Sequence, residues 1–163
     1  MPRRRIEDSD REHVARFIEE HWRSKLVMSQ GKRYFPHEHE GFIEWRDDEI
    51  VGLLTMAYEG DALQLLTLNS VLEGERIGSS LMLMAIDDAR QRGIGRIWLT
   101  KTNDNLRAFG FYQRLGFRIV QVNVGGVDEA RKTKPQIPEV GTDGIAIHDE
   151  IVFELRIESY TGD

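Results

Sequence analysis

The sequence predicts an α/β (α+β) fold with a mixed central sheet, in which an antiparallel N-terminal meander precedes a parallel βαβ unit and helices cover both faces. Two short links, Asp47-Asp48-Glu49 and Glu59-Gly60-Asp61, separate apolar runs, which is typical of antiparallel strands joined by turns. After Leu68, helical and strand-like segments alternate, which favours parallel pairing. A length of 163 residues suits one domain, so we expect residues 1–163 to fold as a single unit.

The first half of the chain begins with a predicted helix. Ser9 and Glu12 have the spacing of a capping box, and apolar residues follow at helical intervals, which predicts a helix over about residues 10–23. Residues 24–40 have no clean period and indicate a loop or a broken helix. The three strands predicted next are residues 42–46, 50–58 and 62–68.

The second half is predicted to alternate between helices and strands. Met82, Ala85, Ile86 and Ala89 recur at helical spacing, and Gly93 is typical of the end of such a helix. Strand 96–100, a helix from the capping residues 103–105 to residue 116, and strand 117–124 are predicted to follow. In the tail, residues 125–163, we predict a short helix over 127–132, a Pro- and Gly-containing loop over 133–149, and a last strand over 151–157 that completes the sheet.

Composition excludes several classes of protein. The chain has 22 Lys and Arg against 28 Asp and Glu, a formal net charge of −6, and no cysteine. Disulfides, thiolate metal sites and a cysteine nucleophile are therefore excluded, and nucleic acid is an unexpected partner for so acidic a chain. No apolar run approaches the ~20 residues of a membrane span. Arg3-Arg4-Arg5 resembles a solvated terminus and no apolar segment follows it, so we expect no signal peptide and a cytoplasmic location.

A glycine-containing loop joins a predicted strand to a predicted helix. Gly74 and Gly78 permit tight turns and close approach of a ligand, and Ser79 lies where the first turn of the helix begins. The unpaired N–H groups at such a helix start suit a phosphate. Taken alone, however, the segment is more typical of an ordinary glycine-containing turn with a serine cap, and it is neither a P-loop nor a dinucleotide fingerprint.

A second segment follows the strand predicted over 96–100. Asn105, Ala108 and Tyr112 share one face of the predicted helix, so a polar, a small and a phenolic side chain follow one another over two turns. Such a face can line a narrow tube. The alternatives are that Asn105 only caps the helix and that Tyr112 is only a core aromatic residue.

Together the two segments resemble the GNAT superfamily of N-acetyltransferases. The downstream motif of that family, Asn-x-x-Ala-x-x-Phe-Tyr-x-x-x-Gly-Phe, is complete here, at Asn105, Ala108, Phe111, Tyr112, Gly116 and Phe117. The upstream motif, Gln/Arg-x-x-Gly-x-Gly/Ala, is degraded: Glu73 and Arg76 replace its first two defined residues, and Gly78 matches its last. The resemblance covers residues 6–124 well and the tail more loosely.

The resemblance implies an acetyl-CoA-dependent N-acetyltransferase that binds its donor where two parallel strands part. Backbone N–H groups at the end of the strand would polarise the thioester carbonyl, and Tyr112 would protonate the departing thiolate. Asn105 would bind the pantetheine arm. The resemblance assigns the remaining donor-binding positions to the strand end and the loop: Leu68, Asn69, Ser70, Glu73, Gly74, Arg76, Ile77, Gly78 and Ser79.

The sequence names no single base for the acceptor amine. His37 and Glu38, in a polar stretch, are candidate bases, and His148 with Asp149 are candidates for the acceptor pocket or for a simple turn. His37 and His39 have the spacing of two ligands on a strand face, but no third ligand accompanies them, so we expect no metal. Two tryptophans are candidates either for the core or for the acceptor cleft: Trp22 and Trp45.

We expect the acceptor to be a primary amine of a small molecule or a protein. The acidic balance favours a cationic acceptor and predicts a basic CoA pocket with surplus acid in the acceptor cleft. Two alternatives stay open: a non-catalytic acyl-CoA-binding or regulatory module, and a toxin-like enzyme that acetylates aminoacyl-tRNA. A homodimer paired through the last strand and the Pro/Gly loop is a further hypothesis.

Overall fold

The computed structural model describes residues 3–159 as a seven-stranded mixed sheet, a separate two-stranded hairpin and four α-helices. The domain boundaries predicted at residues 1 and 163 lie outside the described residues. The strands are β1 (Arg3–Arg5), β2 (Val27–Ser29), β3 (Lys32–Tyr34), β4 (Glu40–Arg46), β5 (Glu49–Glu59), β6 (Ala62–Ser70), β7 (Arg96–Thr102), β8 (Arg118–Asn123) and β9 (Glu150–Arg156). The α-helices are α1 (Arg11–Trp22), α2 (Ile77–Gln91), α3 (Leu106–Arg114) and α4 (Gly126–Thr133). No helix in this part of the chain is long and apolar enough to cross a membrane.

The sheet has the strand order β1-β4-β5-β6-β7-β9-β8. The predicted meander is confirmed, because β4, β5 and β6 pair antiparallel in sequence order. β6 and β7 then pair parallel, as expected across a helical crossover. The prediction that strand 117–124 continues the parallel pairing is wrong: β9 lies between β7 and β8 and is antiparallel to both. Since both edges of β9 are paired, the last strand is not free to form the dimer contact expected of it.

Three further predictions near the N-terminus are corrected by the structure. Residues 24–40 contain the β2–β3 hairpin, whose turn residues Gln30 and Gly31 both have positive φ. Ser9 lies inside a 3-10 turn and does not cap α1; instead Asp10 accepts a 2.7 Å hydrogen bond from the Glu7 amide. Arg3–Arg5 is not a solvated terminus, since it pairs with β4 as an edge strand.

Apolar residues pack on both faces of the sheet, as the alternation of side chains along the strands requires. On one face, Phe42 and Leu54 join the larger cluster under α2 and α3. On the other face, Ile43 and Leu53, the next residues along the same strands, pack against α1. Helices therefore cover both faces, as predicted.

The contact between α2 and the sheet is close enough to require a glycine. A Cβ added to Gly52 on β5 would lie 2.3 Å from Ile77 Cγ2 and 3.1 Å from Leu81 Cδ1. Both α2 side chains are fully buried, with 1% and 0% exposure, so neither can swing into solvent. This contact fixes where the first turn of α2 lies on the sheet, and with it the loop that precedes the helix.

We expect Gly52→Ala to lower the free energy of unfolding by about 1–3 kcal/mol, the usual cost of overpacking a core. Urea unfolding followed by circular dichroism measures the change. Gly95→Ala is the matched control, because its added Cβ would lie at an ordinary 3.7 Å from Glu158 Oε2. Equal midpoints for the two variants would contradict the close packing at Gly52.

Candidate active site

β6 and β7 part after only three residue pairs, and we call this opening the fork. The parallel register runs from Ala62 with Arg96 to Gln64 with Trp98 and then ends. Just beyond the last pair, the buried Ser29 hydroxyl lies 2.9 Å from Thr100 Oγ1 and accepts a 3.1 Å hydrogen bond from Gln64 Nε2. The β2–β3 hairpin is thereby bonded to both strands at the base of the fork.

The backbone of β6 presents polar groups to the open side of the fork. The Val71 amide donates to Val51 O at 3.0 Å, and alternate residues of an antiparallel strand point the same way. The backbone N–H and C=O groups of Leu68 and Ser70 therefore point away from β5, toward the side on which pairing with β7 has ended. A β-bulge also leaves Leu66 without a register partner on β5, and bulges are frequent beside active sites.

Two cavities meet at the fork. The α3 cavity, of about 410 Å³, is lined by the end of β6, the first turn of α2 and one face of α3. The α4 cavity, of about 270 Å³, is lined by the end of α1, the hairpin, α4 and the loop after α4. Lys101 and Asn105 line both cavities, so the two spaces adjoin at the end of β7.

The structure brings five of the predicted site residues together around the α3 cavity: Leu68, Ser70, Gly78, Asn105 and Tyr112. The same wall carries Lys101, Arg107 and Arg114 and no carboxylate among the described residues, which agrees with the basic pocket expected for CoA. Arg107 also lies 3.4 Å from Glu73, so one acid of the loop is drawn toward a base.

The two candidate residues on α3 combine the roles that the sequence left open. Asn105 is the helix N-cap, accepting a 3.1 Å hydrogen bond from the Ala108 amide, and this uses only its Oδ1. Tyr112 is 2% exposed and packs edge-on against Phe111 and Phe117. Burial raises the pKa of the Tyr112 phenol above its usual value. Helix capping at Asn105 and core packing at Tyr112 are therefore each compatible with lining the cavity.

Six other predicted donor-binding residues lie outside the lining of the α3 cavity. Asn69 accepts a 2.8 Å hydrogen bond from Trp22 Nε1. The Ile77 side chain is buried under the sheet, so only its backbone is available to a ligand. The other four belong to the loop or to the first turn of α2: Glu73, Gly74, Arg76 and Ser79.

Arg76 occupies the glycine position of the degraded motif, and its backbone explains why the family has glycine there. Its φ is +56°, in the left-handed region, and it is the N-cap of α2. The neighbouring acid Glu75 is held 2.7 Å from Arg46, away from the helix start. The loop thus keeps its turn despite the substitution, with a strained arginine at its end.

The candidate bases from the sequence lie away from both cavities. His37 and Glu38 form a 3-10 turn beside α1, and the His37 and His39 carbonyls accept hydrogen bonds from Arg11. His148 Nδ1 lies 3.1 Å from Asp128 Oδ1, and neither residue lines either cavity. Among residues 3–159, no group of three or more His, Asp or Glu side chains is arranged to hold a metal ion.

Lys101 is the site residue that the sequence prediction missed. Its Nζ lies 5.2 Å from the Trp22 ring centroid and 5.9 Å from that of Tyr112. Both tryptophans considered pack against the apolar cluster near α1, and of the two only Trp22 also lines the α4 cavity. A lone lysine in a strand that otherwise looks buried was the available signal.

Comparisons with known proteins agree with this geometry. The profile of the Acetyltransferase (GNAT) family matches residues 6–117, which confirms the resemblance drawn from the two motifs. YxbD, an uncharacterized protein of Bacillus subtilis (strain 168), is 38% identical over 146 residues, 89% of this chain and 92% of that protein. Streptothricin acetyltransferase of Streptomyces lavendulae is 37% identical over 76 residues, 44% of this chain and 40% of that one. A Bacillus subtilis acetyltransferase solved in complex with CoA shares the fold, with a TM-score of 0.65 and 17% identity over 94% of this chain and 97% of that one.

The strain at Arg76 is open to measurement by a pair of variants. We expect Arg76→Gly to exceed Arg76→Ala in free energy of unfolding by about 1 kcal/mol, since only glycine adopts this φ without a Cβ penalty. Both variants lose the guanidinium, so their difference isolates the backbone, and urea unfolding measures it. Equal stability of the two would show that the left-handed conformation costs nothing there.

Proposed function

This chain belongs to the GNAT family of acetyltransferases, and on that basis we propose that it transfers the acetyl group of acetyl-CoA directly to a primary amine. The observation that carries the proposal is the fork, where two cavities adjoin beside unpaired backbone groups. One cavity can hold the thioester and the other the amine, so the reacting atoms meet at the end of β7. We further propose that residues 1–163 act as a single domain.

The α3 cavity is the proposed donor site. Three bases and no acid among its described lining residues favour an anionic ligand such as CoA. The first N–H groups of α2 supply a phosphate-binding helix start at the mouth of the glycine loop. The CoA complex of a structurally similar acetyltransferase supports the same choice of donor.

The chemistry at the thioester follows from the groups that surround the fork. We propose that the backbone N–H groups of Leu68 and Ser70, at the edge of the α3 cavity, polarise the carbonyl and stabilise the oxyanion that forms as the amine attacks. Tyr112 is proposed to hydrogen-bond the sulfur as it becomes a thiolate. Because the chain has no cysteine, it cannot form a cysteinyl acyl-enzyme, which favours direct attack of the amine on the thioester.

The α4 cavity is the proposed acceptor site. Its wall is largely apolar, and of its described lining residues Glu150 alone carries a carboxylate, against Arg23, Lys101 and Lys134. The surplus acid expected for a cationic acceptor is therefore not found in this wall. A primary amine on an otherwise uncharged or anionic body, whether a small molecule or an exposed protein amine, fits this lining better.

We expect calorimetry to detect acetyl-CoA binding and a thiol-release assay to detect turnover with members of a broad primary-amine panel. The panel should include cationic antibiotics, amino acids, peptides with free N-termini and aminoacyl-tRNA. Binding without thiol release across the panel would favour the acyl-CoA-binding module instead. Release confined to aminoacyl-tRNA would favour the toxin-like alternative.

Tyr112→Phe tests the contact with the departing sulfur. We expect kcat to fall by at least about tenfold, while the Kd for acetyl-CoA stays within threefold, because the hydroxyl acts as the thiolate forms. Tyr34→Phe, in the hairpin and outside both cavities, is the matched control and should keep full turnover. Unchanged kcat in Tyr112→Phe would refute the assigned role.

A further inference from the structure

Lys101 lies at the junction of the two cavities. It is the next-to-last residue of β7, on the same face as the core residues Ile97 and Leu99. Its ammonium group lies between the rings of Trp22 and Tyr112, one from each side of the fork. With the thioester in the α3 cavity and the amine in the α4 cavity, Lys101 is within reach of both.

No carboxylate neutralises this lysine. Among residues 3–159, the Lys101 ammonium group takes part in no ion pair or hydrogen bond, and it lies near two aromatic faces. The charged or titratable groups that line the two cavities with it lie at the end of α1, on α3, just after α4 and on β9: His21, Arg23, Arg107, Tyr112, Arg114, Lys134 and Glu150. Glu150, the one acid of this set, accepts hydrogen bonds from the Gln30 amide and Asn123 Nδ2.

The surroundings of Lys101 also bear on its protonation. Burial lowers the pKa of the Lys101 ammonium to about 8. A free alkylammonium has a pKa of about 10.4 and a thiol of about 8.5, so this lysine can exchange a proton with either partner. Burial acts oppositely on Tyr112, raising the pKa of its phenol, which therefore keeps its proton and remains a hydrogen-bond donor.

We propose that Lys101 is the proton-transfer residue of the reaction, taking a proton from the acceptor nitrogen and delivering it to the CoA sulfur. The inference rests on the proposed function, direct transfer at the fork. As the acceptor nitrogen bonds to the acetyl carbon, its proton passes to neutral Lys101 Nζ. The carbon–sulfur bond then breaks, its electron pair goes to sulfur, and Nζ returns the proton to the thiolate. The products are the acetylated amine and free CoA, and Lys101 ends as it began.

Two substitutions at Lys101 separate proton transfer from charge. Lys101→Met keeps the length of the side chain without the amine, and Lys101→Arg keeps the charge but does not release a proton at working pH. We expect each to lower kcat about 100-fold or more, with the Kd for acetyl-CoA within threefold of the wild type. The matched control is Lys132→Met, on the exposed side of α4, which should leave both quantities unchanged.

The pH profile is the second readout. In the wild type, kcat/KM for an alkyl amine of the panel, whose own pKa lies well above 8, should show a step with rising pH at an apparent pKa near 8, because only neutral Lys101 accepts the proton. That limb should be absent from Lys101→Met.

Restoration of turnover in Lys101→Arg would overturn the proposal, since charge alone would then suffice. An unchanged profile in Lys101→Met would also overturn it. In both cases the acetyltransferase assignment would stand. Absence of thiol release in the wild type with every amine would instead overturn the proposed function, and this inference with it.

Discussion

The parting of β6 and β7 is the constraint on which the rest of the molecule depends. Parallel strands that separate inside a sheet lose backbone hydrogen bonds, and buried polar groups need other partners. At the base of the fork the Ser29 hydroxyl joins Gln64 to Thr100, and the hairpin that carries Ser29 forms part of the α4 cavity wall. The freed backbone groups of Leu68 and Ser70 then face a space that a ligand can fill. The helices, the glycine loop and the tail all surround this opening.

Local sequence patterns predicted much of the fold and part of the candidate site. The meander, α2 and α3 have clear apolar patterns bounded by turn or capping residues such as Gly93 and Asn105, so their positions follow from residues close in sequence. Asn105 and Tyr112 belong to a motif whose spacing places them on one helix face, and both line the α3 cavity. The β2–β3 hairpin was missed because its strands are three residues each, too short for a period, although Gln30-Gly31 suits a two-residue turn.

Long-range features were beyond such patterns. The insertion of β9 between β7 and β8 is decided by pairing between residues that are far apart in sequence, such as Arg96 with Arg156 and Arg118 with Glu154, which periodicity does not encode. Lys101 gains its character from rings on α1 and α3 and from the lack of a nearby free carboxylate. The net charge of the chain was a misleading guide to the charge of the cavities for a similar reason. Many acidic residues form ion pairs away from the cavities, as where Asp88 on α2 lies 2.5 Å from Arg5 on β1. The cavity walls, in contrast, carry more basic than acidic side chains. Local electrostatics follows the fold rather than the total.

The position of β9 also bears on how the polypeptide assembles during synthesis. β7 and β8 emerge from the ribosome before β9. Neither can pair with β9, the strand that lies between them, until β9 has been synthesised. Until then β8 has no place in the sheet, and its apolar residues Ile119, Val120 and Val122 remain without a backbone partner. The part of the sheet that consists of β7, β9 and β8, and with it the β7 wall of the fork, is therefore completed late in translation. A chain that ends before β9 would therefore leave β8 as an unpaired strand, and unpaired strand edges invite pairing with other chains.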